Sequence, residues 1–86
     1  MRFAAAVDVM PKAGISDPEG ATIERALPSR GFSEITDVRV GKRIELVVEA
    51  SSEDEAHRVL SRACEEFLTN PIIEEFHFTL KALSGA

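Results

Sequence analysis

Hydrophobic and small residues alternate with a period of two at the start of the chain. Between Phe3 and Met10, the positions Phe3, Ala5, Val7 and Val9 fall on one side and Ala4, Ala6, Asp8 and Met10 on the other, which predicts a first strand. The second side is small and mostly apolar where a solvated sheet face would carry charge, so a cover is expected there, with a partner subunit as one candidate. The stretch PKAGISDPEG, from Pro11 to Gly20, then holds two prolines and two glycines, too many chain breakers for a regular element. Asp17 can accept from the free amides of a first helical turn and Pro18 suits the first helical position, so helix one is expected to start there. Ile23, Ala26 and Leu27 recur at helical spacing, and Gly31 supplies a left-handed stop. Pro28 removes the amide that would bond back to Glu24, which predicts a kink or an early end to that helix.

Alternation returns in Phe32 to Val40 and again in Arg43 to Ala50, where Ile44, Leu46 and Val48 oppose Arg43, Glu45 and Glu49. These segments are the expected strands two and three. Gly41 and Lys42 between them have the length and the leading glycine of a type II′ hairpin. Ser52 and Glu55 are spaced as a capping box, and Ala56, Val59, Leu60, Ala63, Cys64 and Phe67 form one helical stripe. Asn70 is the expected left-handed cap and Pro71 forbids continuation. Phe76, Phe78 and Leu80 alternate with His77, Thr79 and Lys81 as strand four. Residues 84–86 are expected to form a frayed tail after a single domain over 1–83.

The order βαββαβ, with one apolar stripe on each helix, predicts an α+β fold: a two-layer sandwich with a ferredoxin-like, four-stranded antiparallel sheet of order 4-1-3-2 and both helices on one face.

Length and charge narrow the functions open to such a fold. At 86 residues the chain has room for one domain, which buries only roughly 60% of its unfolded surface, so additional contact with another subunit is favoured. A net charge of −5 would repel a phosphate backbone, and the absence of Tyr and Trp removes the best base-stacking groups, so nucleic acid is not an expected partner. No long apolar run and no signal-peptide pattern is present, so no membrane association is expected and the cytoplasm is the expected address. The single cysteine, Cys64, fits a reducing compartment.

Candidate chemistry is sparse. His57 and His77 lack a cysteine or carboxylate cluster at metal-ligand spacing, so no metal site is expected and solvated or structural roles are favoured. Cys64 lies on the core stripe, where a thiol is an inert small hydrophobe. Glu65 with Glu66 and Glu74 with Glu75 read as solvated carboxylates, since nothing in the sequence indicates the desolvation that would shift them. The PKAGISDPEG loop does not match a phosphate-cradling motif, which leaves it as a rigid connection capping helix one or as a loop that docks a partner. A hydrolase of the acylphosphatase type on the same fold would need an arginine in that loop, where only Lys12 is found.

Three segments, PKAGISDPEG from Pro11 to Gly20, VRVGKRIEL from Val38 to Leu46 and CEEFLTNPIIEEF from Cys64 to Phe76, together resemble PurS, the small-subunit family of phosphoribosylformylglycinamidine synthase, over essentially the whole chain. The resemblance implies a role in the fourth step of de novo purine synthesis, in which formylglycinamide ribonucleotide is converted to its amidine with ATP and glutamine-derived ammonia. It implies a noncatalytic subunit, a homodimer or tetramer, that bridges a synthetase (PurL) and a glutaminase (PurQ) and supports ammonia transfer. It binds no cofactor of its own in a complex that uses ATP, Mg and glutamine. Matched to the family by position are Pro11, Lys12, Gly14, Asp17, Pro18 and Gly20, then Arg39, Gly41 and Lys42, then Asn70, Pro71, Ile73 and Glu74. Ser16, Pro28, Phe67 and Thr69 depart from its usual pattern. Ala4, Ala6 and Met10 on the second face of strand one, with Val47 beside them, are the expected dimer contact. The alternative is a small ferredoxin-like regulatory or binding module.

Overall fold

The computed structural model describes residues 1–84; the expected fraying of Gly85 and Ala86 lies outside the described residues. Its regular elements are β1 (Arg2–Pro11), α1 (Pro18–Ala26), β2 (Lys42–Glu49), α2 (Glu53–Ala63) and β3 (Glu74–Ala82). The three strands make one antiparallel sheet in the order β2-β1-β3. Register puts Val7 opposite both Ile44 and Phe78, and Ala5 opposite Leu46 and Leu80, so the apolar positions of all three strands share one face. Helix α2 covers that face. Its Ala56 and Leu60, and Cys64 after it, are buried with Phe3, Ala5, Val7, Val9 and Val48 in one core. At about 1.5–3 kcal/mol for each large side chain removed from water, this cluster carries most of the folding drive.

Both helix starts follow the sequence. Asp17 caps α1 by accepting from the Gly20 N–H at 3.0 Å, with Pro18 in the first turn. Ser52 caps α2 by accepting from the Glu55 N–H at 3.1 Å. Glu55 reaches back to the N–H of Ser51 at 2.9 Å, one residue before the cap, and that bond holds its carboxyl below the usual range. Pro28 stops α1 as expected: the helix ends at Ala26, a single 3-10 turn spans Pro28–Arg30, and Gly31 turns the chain at φ 91°.

Three expectations are corrected. Among the described residues there are three strands, and 32–40 is not one of them. The segment instead turns where the Ile35 N–H donates to the Phe32 carbonyl at 3.2 Å, passes through a left-handed Asp37 at φ 59°, and then gives two amides to side chains: Val38 N–H donates to Glu24 Oε1 at 2.9 Å and Val40 N–H to Asp17 Oδ2 at 2.8 Å. With those donors taken by α1, no ladder forms, and the hairpin at Gly41 and Lys42 is absent with it. Gly41 does not have a positive φ. It is glycine because a Cβ there would run into the Val9 carbonyl and the Met10 sulfur, where the incoming chain crosses the end of β1.

Helix α1 also departs from the two-layer sandwich. It buries only Gly20 and makes no substantial packing contact with any strand. Residues 12–41 instead form an arm that leaves the sheet at Pro11 and returns at Lys42. The arm accounts for a length of 52 Å, where ten residues of strand span about 33 Å, and for a radius of gyration of 16.9 Å against about 12 Å for a compact chain of this size.

The third correction concerns the end of α2. A five-residue π turn over Cys64–Leu68 follows the helix, with the N–H and Oγ1 of Thr69 both donating to the Cys64 carbonyl at 3.0 and 2.7 Å. The extra residue rotates the stripe, so Leu68 packs against the core and Phe67 faces solvent. Asn70 is not left-handed. Its Oδ1 accepts from the Ile72 N–H at 3.2 Å, an Asx turn that redirects the chain into β3.

Candidate docking surface

The three motif segments, distant in sequence, meet at one end of the sheet. The Lys12 N–H donates to the Ile73 carbonyl at 2.9 Å, and the Lys12 ammonium donates to the Pro71 carbonyl. Asn70 N–H donates to Glu74 Oε1 at 2.8 Å and closes the turn from its other side. Asp17 divides its two carboxylate oxygens between Gly20, in its own helix, and Val40, in the returning chain. Those two amides, with the Arg39 guanidinium nearby, hold the Asp17 carboxyl below the usual carboxylate range. Gly20 is buried against this carboxylate and the Val38 carbonyl, where any side chain would collide. Pro11 closes β1 and Pro18 opens α1, while Gly14 turns the loop between them at φ 84°. Lys12, Asp17, Gly20, Gly41, Asn70, Pro71, Ile73 and Glu74 thus form the clamp that fixes the arm to the sheet. Arg39 and Lys42 stand at the clamp with exposed side chains. Glu24, whose side chain stands out in no sequence pattern, fastens the arm to itself through Val38.

A recess of about 320 Å³ lies in the arm, lined by Lys12, Gly14, Asp17, Glu24, Asp37 and Arg39 among others. Three carboxylates face two cations there, and the Lys12 ammonium is already spent on Pro71. An excess of carboxylates over free cations does not fit a nucleotide phosphate. Among the described residues no three His, Cys, Asp or Glu side chains stand together as a metal site. The thiol of Cys64 is buried, and burial together with neighbouring Glu65 pushes its pKa up, opposite to what a nucleophile requires. His57 packs its ring on Phe78 at 5.0 Å, and His77 lies in register with Asp8 on the opposite sheet face. No helix of the described residues is long and apolar enough to cross a membrane.

What the surface offers instead is uncovered apolar area. On the arm, Ile23 is 41% and Phe32 51% exposed, and Ile15 and Ile35 are exposed as well. The open face of the sheet carries Ala4 and Ala6, with Val47 beside them 49% exposed, in a shallow groove of about 460 Å³ that Arg43, Glu45, Thr79 and Lys81 border; Met10, on the same face, lies outside that groove, beside Asp8 and His77. Two further apolar side chains, Phe67 and Ile72, are exposed, and Phe67 was missed because the π turn that exposes it has no signature in the sequence.

Comparison with known proteins gives a consistent result. The sequence model of the family PurS, phosphoribosylformylglycinamidine (FGAM) synthase, matches residues 4–82. A relative from Thermotoga maritima, phosphoribosylformylglycinamidine synthase subunit PurS, is 40% identical over 74 residues, 86% of this chain and 90% of that protein. The crystal structure of the Thermotoga maritima purS subunit superposes with a TM-score of 0.85 at 38% identity, covering 93% of this chain and 92% of that one. A chain in the structure of PurLQS from the same organism gives a TM-score of 0.85 at 38% identity, with 93% and 98% covered.

Proposed function

The chain belongs to the PurS family of phosphoribosylformylglycinamidine synthase subunits, and from that premise we propose that it serves the enzyme as a noncatalytic bridge. As a PurS it is a subunit of the FGAM synthase of purine biosynthesis, a ligase complex. The proposal adds how it contributes: it holds a synthetase (PurL) and a glutaminase (PurQ) in register and supports passage of ammonia between them in the cytoplasm, while ATP, Mg and glutamine are bound by those larger subunits. The observation that carries this reading is the arm. Thirty residues held out from the sheet by a hydrogen-bonded clamp, with their large apolar side chains unburied, suit a surface that is completed by other polypeptides.

The first such polypeptide is a second copy. A homodimer in which each arm is covered by the other protomer, with the Ala4, Ala6, Met10 and Val47 face joining the contact, would bury the apolar area that a lone chain leaves wet. Arg39 and Lys42, exposed at the clamp, remain for the larger subunits.

Reconstitution tests the bridge. Adding the purified chain to its cognate synthetase and glutaminase is expected to raise glutamine-dependent amidine formation and to yield a complex containing all three. An unchanged rate and an unchanged complex mass would reject the reading.

A further inference from the structure

Outside the clamp, the arm and the open sheet face, the most exposed large apolar side chains are Phe67, at 85%, and Ile72, at 82%. Phe67 is presented by construction. The π turn, fastened by both Thr69 donors on the Cys64 carbonyl, gives the inward position to Leu68 and leaves the phenyl ring standing in solvent. Beside the ring, a recess of about 270 Å³ is lined by Val59, Ala63, Arg62, Glu66 and Phe67 itself. Arg62 is neutralised by Glu66 at 3.0 Å.

Charge around this knob is one-sided. Residues 62–75, around the ring, hold four carboxylates and one arginine, a net of −3, while Glu53, Asp54 and Glu55 stand at the far end of α2, about 18 Å away along the helix. An aromatic knob in an acidic surround complements an apolar recess rimmed by Lys or Arg. A second copy of this chain lacks the basic excess to supply that rim, and a phosphate-bearing surface would be repelled.

We propose that Phe67 and the outer face of α2, with Ile72, form a docking surface for a larger synthase subunit that presents a basic-rimmed apolar recess, separate from the surfaces that pair two copies of this chain. The inference rests on the bridging reading and names the part of the chain that engages a heterologous partner. The ring is the anchor, and the surrounding carboxylates steer the encounter and fix its orientation.

The experiment compares the wild-type chain with Phe67→Ala and Glu65→Lys in binding to the cognate synthetase and glutaminase under turnover conditions, over a series of salt concentrations. Each variant is also sedimented alone. Phe67→Ala touches no core contact and is expected to weaken the heterologous complex about tenfold or more while leaving self-association unchanged. Wild-type affinity is expected to fall with added salt, and Glu65→Lys to weaken binding at low salt and flatten that dependence. Unaltered affinity of Phe67→Ala overturns the proposal, as does a loss of self-association in that variant, which would assign the knob to a second copy. Failure of the wild-type chain itself to join the two subunits would instead bring down the bridging reading.

Discussion

The sheet under α2 and the arm beyond it are built from similar residues and held in different ways. In the sheet, Phe3, Val7 and Val9 meet Leu60 and Cys64 in a buried apolar core. On the arm, Ile23, Phe32 and Ile35 stay exposed, and shape comes from two carboxylates, Asp17 and Glu24, that take the amides of Val40 and Val38. A core tolerates no partner and needs none. A hydrogen-bonded arm keeps its form while leaving apolar area available, which is what a subunit that works by contact requires.

Truncation of buried apolar groups separates the two regions most strongly. Leu60→Ala is expected to lower stability by about 2–5 kcal/mol, with each kcal/mol taking roughly 4–8 °C from Tm. Ile23→Ala, in the arm, is expected to shift the same transition of the dilute chain by no more than about 0.5 kcal/mol, as for a surface site. Thermal unfolding at low protein concentration makes the comparison. Equal losses at the two positions would show that the arm has a core of its own.

The same contrast explains which features could be read from the sequence. Strands β1, β2 and β3 and the starts of both helices are local facts, written in alternation, in Asp17 before Pro18 and in Ser52 three residues before Glu55. Pro28 likewise announced the end of α1. The segment before Gly41 had the same alternation as a true strand, and its fate was decided by carboxylates 14 and 23 residues away, which no window of neighbours contains. Gly41 offered two reasons to be glycine, a turn or a close approach, and only the fold distinguishes them. Phe67 sat at core spacing until one inserted residue rotated it outward. For the docking surface, the three motif segments were visible singly. Their convergence through Lys12, Pro71 and Ile73 is tertiary and therefore invisible.

A charge placed on the arm sharpens the comparison at the level of assembly. Phe32→Asp is expected to leave the fold of the single chain intact, because the ring is half exposed there, and to convert the proposed dimer to monomers in sedimentation equilibrium at micromolar concentration. Ala6→Glu, on the open sheet face, is expected to act in the same direction and less strongly, since Lys81 borders that groove and offers the new carboxylate a countercharge against the repulsion of Glu45 opposite it. A Phe32→Asp dimer as tight as the wild type would place the contact elsewhere.

The smallest expected effect is the most local one. The Asp17 carboxyl is held below its ordinary value chiefly by the Gly20 amide, then by the Val40 amide and the Arg39 charge, against a modest desolvation cost. A carboxyl whose folded pKa lies below its unfolded one stabilises the fold fully above the unfolded value of about 3.9 and loses that contribution as pH falls through the lowered folded value. The arm is therefore expected to loosen from the sheet below about pH 4, while the core under α2, whose buried side chains are apolar, keeps its protection. Amide hydrogen exchange, corrected for the intrinsic pH dependence of exchange, measures both at once: protection of Val40 should drop in acid ahead of that of Leu60, and Asp17→Asn should remove the acid step by lowering Val40 protection at every pH. A loss of Val40 and Leu60 protection at one common pH would mean that arm and sheet open as a single unit, and the clamp would then be part of the core rather than a tie between two regions.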